Sequence, residues 1–331
     1  MDLGKIKIFI YSIFSCINKY SLKKIDKFLE PIGLKEIINN KNDDPILSDV
    51  KMINESKYKD YKKGYEDFKN VVEEHFDASL LHNFYYNSEW VKVSKVHFMI
   101  PSVYVGTYDF VNNKLKFKNE SLYHELFHLC STDYDSTFIT TGFSLDLKRK
   151  SIGTAINEGY TDLLTQRYFY QDISNSYLIE SKFAYNLEKI IGQKKMEKLY
   201  MEGNFFGFIE ELNKYYKINE IEKFLIDLDV IGFYCDKNLT EEESKRINLL
   251  IEDCICFLIK GYCKFLKNKT FSIEDKKMLI EDYFYDMKTF YKYYYEDYKF
   301  NFLRINKIIE DNLSKEINID FEENKLFKDI K

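Results

Sequence analysis

The sequence predicts an α+β protein dominated by helices, with a small central sheet and a large all-helical C-terminal region. Three observations carry that expectation. Only 3 Pro and 12 Gly interrupt 331 residues that include 28 Tyr and 28 Phe, so helix breakers are scarce and bulky apolar faces plentiful. Apolar side chains recur at helical spacing over most of the chain. Between Trp90 and Phe117 the period changes to a Val-rich alternation.

From the N-terminus, Ile6, Phe9, Ile10, Ile13, Phe14 and Ile17 make a helical stripe, too short for a membrane span of ~20 residues. The segment reads as a docked N-terminal helix in a cytoplasmic protein. The alternative is a weak export signal, which lacks the small-residue cleavage site such a signal needs. Two helices are expected before residue 60, separated by the Pro31-Ile32-Gly33 break and the polar stretch Asn39 to Asp44. Tyr61 to Tyr85 carries the stripe Phe68, Val71, Val72, Phe76, Leu80 and Phe84 and predicts one helical run. Trp90–Ile100 and Val103–Val105 read as strands, and Tyr108–Val111 and Lys114–Phe117 flank Asn112-Asn113 like a hairpin. Asn119 caps a helix from Glu120 to about Ser131, Phe138 to Leu145 predicts a strand, and helix resumes near Thr154.

Beyond Tyr170 the pattern is helical almost to the end. Leu178, Phe183, Leu187, Ile190 and Ile191 form a stripe that stops at Gly192. Thr240 and Glu243 make a capping box before the Ile247–Leu266 helix, and Ser272 starts the next. The Tyr/Lys-dense stretch Tyr283 to Tyr298 keeps helical spacing and reads as an aromatic face with a solvated lysine side. At ~150 residues per domain the length suggests about two domains. The pattern divides into an N-terminal helical segment, 1–60, a core that holds the chemistry, 61–170, and a helical C-terminal domain, 171–331.

Composition excludes several classes. With 45% hydrophobic and 31% charged residues, most of the chain can bury a core and is not disordered. A net charge of -5, from Lys+Arg 49 against Asp+Glu 54, gives no general attraction to nucleic acid or anionic lipid. Six cysteines in a chain of this size make no disulfide framework and fit a reducing compartment. Cys254 and Cys256 lack the second pair a zinc cluster needs.

The chemistry lies in Ser121-Leu122-Tyr123-His124-Glu125-Leu126-Phe127-His128, which holds H-E-x-x-H inside a predicted helix. Residues i and i+4 share a helix face, so His124 and His128 can present two imidazoles to one metal ion, with Glu125 beside them as general base. Asn157-Glu158-Gly159-Tyr160-Thr161-Asp162 follows in another helical pattern. A catalytic zinc takes three protein ligands and keeps one position open, and Glu158 supplies the missing carboxylate. Asp162, one turn on, can hydrogen-bond a ligand imidazole and set its tautomer.

These paired motifs resemble those of the gluzincin zinc metallopeptidases, whose thermolysin-like members carry H-E-x-x-H and N-E-x-x-S-D. The resemblance covers Ser121 to Tyr170. It implies a zincin-like core of a small sheet with an active-site helix, Zn2+ as cofactor, and a peptide or protein as substrate. It also implies His124, His128 and Glu158 as metal ligands, Glu125 as base, Asp162 orienting His124 and Asn157 supporting His128. The sequence departs from the pattern in a longer spacer between motifs, holding the expected strand and the turn Asp146–Lys150. It also has no histidine after His128 to steady an oxyanion.

Tyr160, Arg167 and Tyr168 are the nearby substitutes for that histidine, with Tyr160 preferred. His75 and His82 read as surface or core residues, while His97 can approach the cleft if its strand is an edge. An edge at Val91–Ile100 or Val103–Val105 would hold extended substrate by backbone hydrogen bonds. The competing expectations are a catalytically silent interaction protein that keeps the zincin fold and a zinc site, and a helical scaffold in which both motifs are coincidental.

Overall fold

The structure, a computed structural model, describes residues 29–39, 59–95, 106–117, 121–134, 138–147, 151–169, 177–234, 239–294 and 301–321. The expected Ile6–Ile17 helix, His97, Val103–Val105, the Asn119 cap and Lys148–Lys150 lie outside the described residues. What is described is α+β and helix-dominated, with one sheet of three strands and one of four. The chain divides into two compact units, one spanning Lys35–Lys214 and the other joining Tyr215–Lys331 to the chain up to Leu34.

Short helix α1 is Leu34–Asn39. The unit from Lys35 continues with α2, Lys59–His75, a 3-10 turn at Ala78–Leu81, and α3, His82–Ser88. The single run expected over Tyr61–Tyr85 is therefore broken, because Asp77 adopts extended backbone (φ -60, ψ 142) and starts a new turn. Strands β1 (Lys92–Lys95), β2 (Gly106–Asp109) and β3 (Lys114–Phe117) form the first sheet in the order β1-β3-β2. The expected hairpin is there, with β2 antiparallel to β3 and Asp109 opposite Lys114. Asn113 takes the positive φ of 43° that the turn requires.

Helix α4, Leu122–Cys130, follows, with Ser121 as its N-cap residue. The second sheet is an antiparallel meander of β4 (Thr132–Asp133), β5 (Thr140–Thr141), β6 (Ser144–Asp146) and β7 (Ser151–Ile152). Here the predicted Phe138–Leu145 strand is folded in two, because Gly142 sits at φ +52 and turns β5 back as β6. Then come α5 (Thr154–Phe169), α6 (Leu178–Ile191), α7 (Gln193–Met201) and α8 (Phe205–Asn213). The expected stop at Gly192 is realised at φ +102.

The core of this unit is aromatic. Phe127, on α4, meets Phe68 of α2 edge-on at 4.9 Å, and Phe68 stacks on Phe169 of α5 at 5.4 Å. These rings lock α4 between α2 and α5, and every residue of α4 except Tyr123 is buried.

In the other unit, helices α9 (Ile218–Tyr234), α10 (Glu241–Lys267), α11 (Ile273–Tyr294) and α12 (Phe302–Asn312) are assembled on stacked rings: Phe224 on Phe257 at 4.2 Å and Tyr262 on Tyr283 at 4.0 Å. Both arms of the predicted Thr240–Glu243 capping box form. Ser272 Oγ accepts from the Asp275 amide at 3.0 Å at the start of α11. Glu222 Oε1 accepts from the amides of Ile32, Gly33 and Leu34 at 2.6, 2.8 and 3.3 Å. Among the described residues no helix is long and apolar enough to cross a membrane.

Candidate metal centre

One turn of α4 separates His124 from His128, so both rings leave the same face, and both are 6% exposed. Helix α5 brings Glu158 against them. His124 Nε2 lies 3.1 Å from Glu158 Oε2, His128 Nε2 lies 3.2 Å from the same oxygen, and the two Nε2 atoms are 3.1 Å apart. Among the described residues this is the group of His, Cys, Asp and Glu side chains placed to share an ion. Its donor set fits zinc. Tetrahedral coordination with bonds of about 2.0–2.1 Å sets neighbouring donor atoms about 3.3 Å apart, close to the edges of this triangle.

The electrostatics follow from burial and proximity. Burial pulls the His124 imidazolium down, against the hydrogen bond to Glu158. His128 is buried too, but the Glu158 charge turns its net shift upward. Burial raises Glu158, and the two imidazoles more than reverse that, holding it far below the usual carboxylate range. Glu125 faces the same cavity, and burial pushes its carboxyl up to about 8, opposed by His128 and by a hydrogen bond from the Tyr108 amide.

The Asn157 side chain is divided. Its Oδ1 accepts from the Phe143 amide at 3.1 Å, and its Nδ2 sits 3.3 Å from His128 Nδ1. Thr161 Oγ1 donates to Asn157 O at 2.8 Å and lies 3.4 Å from the same Nδ1. With its proton given to a carbonyl, Thr161 can accept from His128 Nδ1–H, the tautomer that leaves the Nε2 lone pair facing Glu158 and His124.

Two expected roles are not realised. Asp162 is buried, but its Oδ2 accepts from Gln166 Nε2 at 2.8 Å and its Oδ1 has no partner, so it does not hydrogen-bond His124. Gln166, one turn further along α5, supplies the donor instead. Tyr160 is fully buried on another face of α5 and donates to Glu188 Oε2 at 2.9 Å. Two residues turn a helix by about 200°, so Tyr160 points away from whatever Glu158 faces. Arg167 and Tyr168 belong to that same remote network, through Glu188 and Glu197 at 2.7 Å.

A residue that no spacing rule singles out stands where Tyr160 was expected. Tyr177, just before α6, stacks its ring on His124 with centroids 5.5 Å apart and lines the cavity close to the Glu158 carboxylate. The Glu158 charge, then burial, hold its phenol proton on well above the ordinary tyrosine range. A described strand also stands beside the cavity. It is β2, an edge of the first sheet, whose Gly106, Thr107 and Tyr108 line the wall. A Cβ on Gly106 would come within 2.6 Å of Glu125 Oε1, so only glycine lets the strand approach the carboxylate this closely. His75 packs at a tilt against Tyr168 and His82 stacks on Tyr86, and neither joins the cluster.

No protein-family model, curated protein or solved structure matches this chain.

Proposed function

We propose that the protein is a zinc-dependent peptidase of gluzincin type. The observation that carries this reading is the convergence of His124 Nε2, His128 Nε2 and Glu158 Oε2 within 3.1–3.2 Å of one another beside Glu125. Zinc held by those three side chains would act as a Lewis acid, polarising a carbonyl and bringing the pKa of a water toward ~7. Glu125, beside the three ligand side chains, accepts the proton of the attacking water and returns it to the leaving amine. Tyr177 keeps its proton and donates a hydrogen bond to the carbonyl oxygen as charge builds there. Among the described strands β2 stands at an edge of its sheet, where its backbone groups could pair with an extended peptide. Cys130, Cys254, Cys256 and Cys263 are buried and unbridged, which supports a reducing compartment, the cytoplasm.

The test is metal content together with hydrolysis of a peptide library. The wild-type protein is expected to hold about one zinc and cleave. Glu125→Gln should keep the metal and lose about 10²-fold or more of the turnover, while His124→Ala and Glu158→Ala should lose the metal. A protein without zinc sinks the ligand assignment. One that holds zinc and cleaves nothing is the catalytically silent alternative.

A further inference from the structure

The turn at Gly142 does more than reverse the chain. It sets Thr141 of β5 directly opposite Ser144 of β6, and residues opposed in an antiparallel pair project to one face. Both line the cavity, of about 280 Å³, that holds Glu125, His128 and Glu158. Both are nearly enclosed, at 4% and 6% exposure. The turn is fastened to the candidate centre, since the Phe143 amide donates to Asn157 Oδ1, one residue from Glu158.

The two hydroxyls differ in what they can offer. Thr132 Oγ1 donates its one proton to His128 O at 2.8 Å, so its 3.0 Å contact with Thr141 Oγ1 uses the proton of Thr141. Thr141 is left as an acceptor. Ser144 Oγ makes no hydrogen bond within the described protein and keeps its proton for a ligand. An acceptor beside a donor complements a primary carboxamide, whose NH₂ gives and whose carbonyl takes. Among the described residues lining the cavity there is no Lys or Arg, and two carboxyl side chains, Glu125 and Glu158, are present. Among the described residues an acidic side chain would meet hydroxyl donors but no cation and would lie beside two other carboxyl groups, and a leucine would leave the Ser144 hydroxyl without a partner.

We infer that the Thr141–Ser144 hairpin is a specificity subsite for an Asn or Gln side chain near the scissile bond. Thr141 accepts from the carboxamide and Ser144 donates to it. The inference rests on the peptidase reading for the word substrate, but not for the binding chemistry.

The test therefore measures binding first. Full-length Glu125→Gln protein, loaded with zinc, is titrated calorimetrically with capped alanine octapeptides carrying a single Gln, Asn, Leu or Glu. The Gln or Asn peptide should bind about tenfold or more tightly than the Leu and Glu peptides. Ser144→Ala in that background should bring the Gln and Leu affinities together. Thr141→Val is a second route to the same result should either variant fold poorly. Equal affinity for all four peptides, or no binding of any, overturns the subsite. The same peptides offered to wild-type protein separate the two readings. Turnover without carboxamide preference refutes the subsite alone, and selective binding without turnover refutes the peptidase alone.

Discussion

Tyr177 and Tyr160 have the same functional group and opposite prospects, and the difference is where each hydroxyl is committed. Tyr160 gives its proton to Glu188 inside a buried network with Arg167, whereas Tyr177 meets the ligand cluster at the cavity wall. A donor that engages only as charge develops lowers the barrier without tightening the ground state. Tyr177→Phe is therefore expected to lower kcat by about 10²–10³ with KM little changed and zinc content intact. Steady-state kinetics with metal analysis check this, and undiminished kcat removes Tyr177 from the mechanism. Tyr160→Phe should behave in the opposite way. It leaves turnover within a few-fold while costing about 1–2 kcal/mol of stability, because buried Glu188 loses a hydrogen-bond donor. Denaturant unfolding of that variant gives the comparison.

Two helices and one turn deliver nearly all of the candidate site, and each depends on a local rule. His124 with His128 was legible because i, i+4 spacing fixes a shared face whatever surrounds it, and Glu158 because a zinc ligand was missing. Nearness in sequence does not bring Tyr160 to the cluster, because the angular step of a helix turns it away from Glu158. Tyr177, Gly106 and the hydroxyl hairpin are brought in by tertiary packing, and no spacing within either motif points to them. The hairpin did leave a trace, since a glycine inside a strand pattern often marks a bend, and Gly142 lies in the middle of Phe138–Leu145. That glycine yields the prediction at this scale. Its φ is +52, and a Cβ would stand 2.3 Å from Asn157 Oδ1 and 2.5 Å from a Tyr200 ring carbon. Gly142→Ala should cost at least about 2 kcal/mol in backbone strain and displaced neighbours. It should also weaken zinc retention, since Asn157 adjoins Glu158. Unfolding curves and a competitive chelator titration measure the two effects, and an unshifted melting curve would contradict the turn as described.

Over the whole molecule, the candidate chemistry lies within the Lys35–Lys214 unit, while the helical unit buries a carboxyl at Asp227 whose proton affinity is raised. Asp227 is 3% exposed on α9, and burial lifts its carboxyl to about 6 even though the neighbouring Lys223 ammonium pulls it down. The folded state therefore holds the proton more tightly than the unfolded chain, whose aspartates titrate near ~3.9. With the folded value the higher of the two, this side chain's contribution to stability is complete below pH ~4 and is lost as pH rises through about 6. Asn at this position is neutral throughout and escapes that loss. Asp227→Asn should accordingly gain on the parent between pH 4 and 7, by up to about 3 kcal/mol for a shift of roughly two units, or several degrees in Tm. Other titrating groups move both proteins alike, so the difference between the two melting curves isolates this one. Parallel thermal melts from pH 4 to 8 decide it: a Tm difference that stays flat, or widens in favour of the parent, would mean the buried carboxylate is already fully compensated by Lys223.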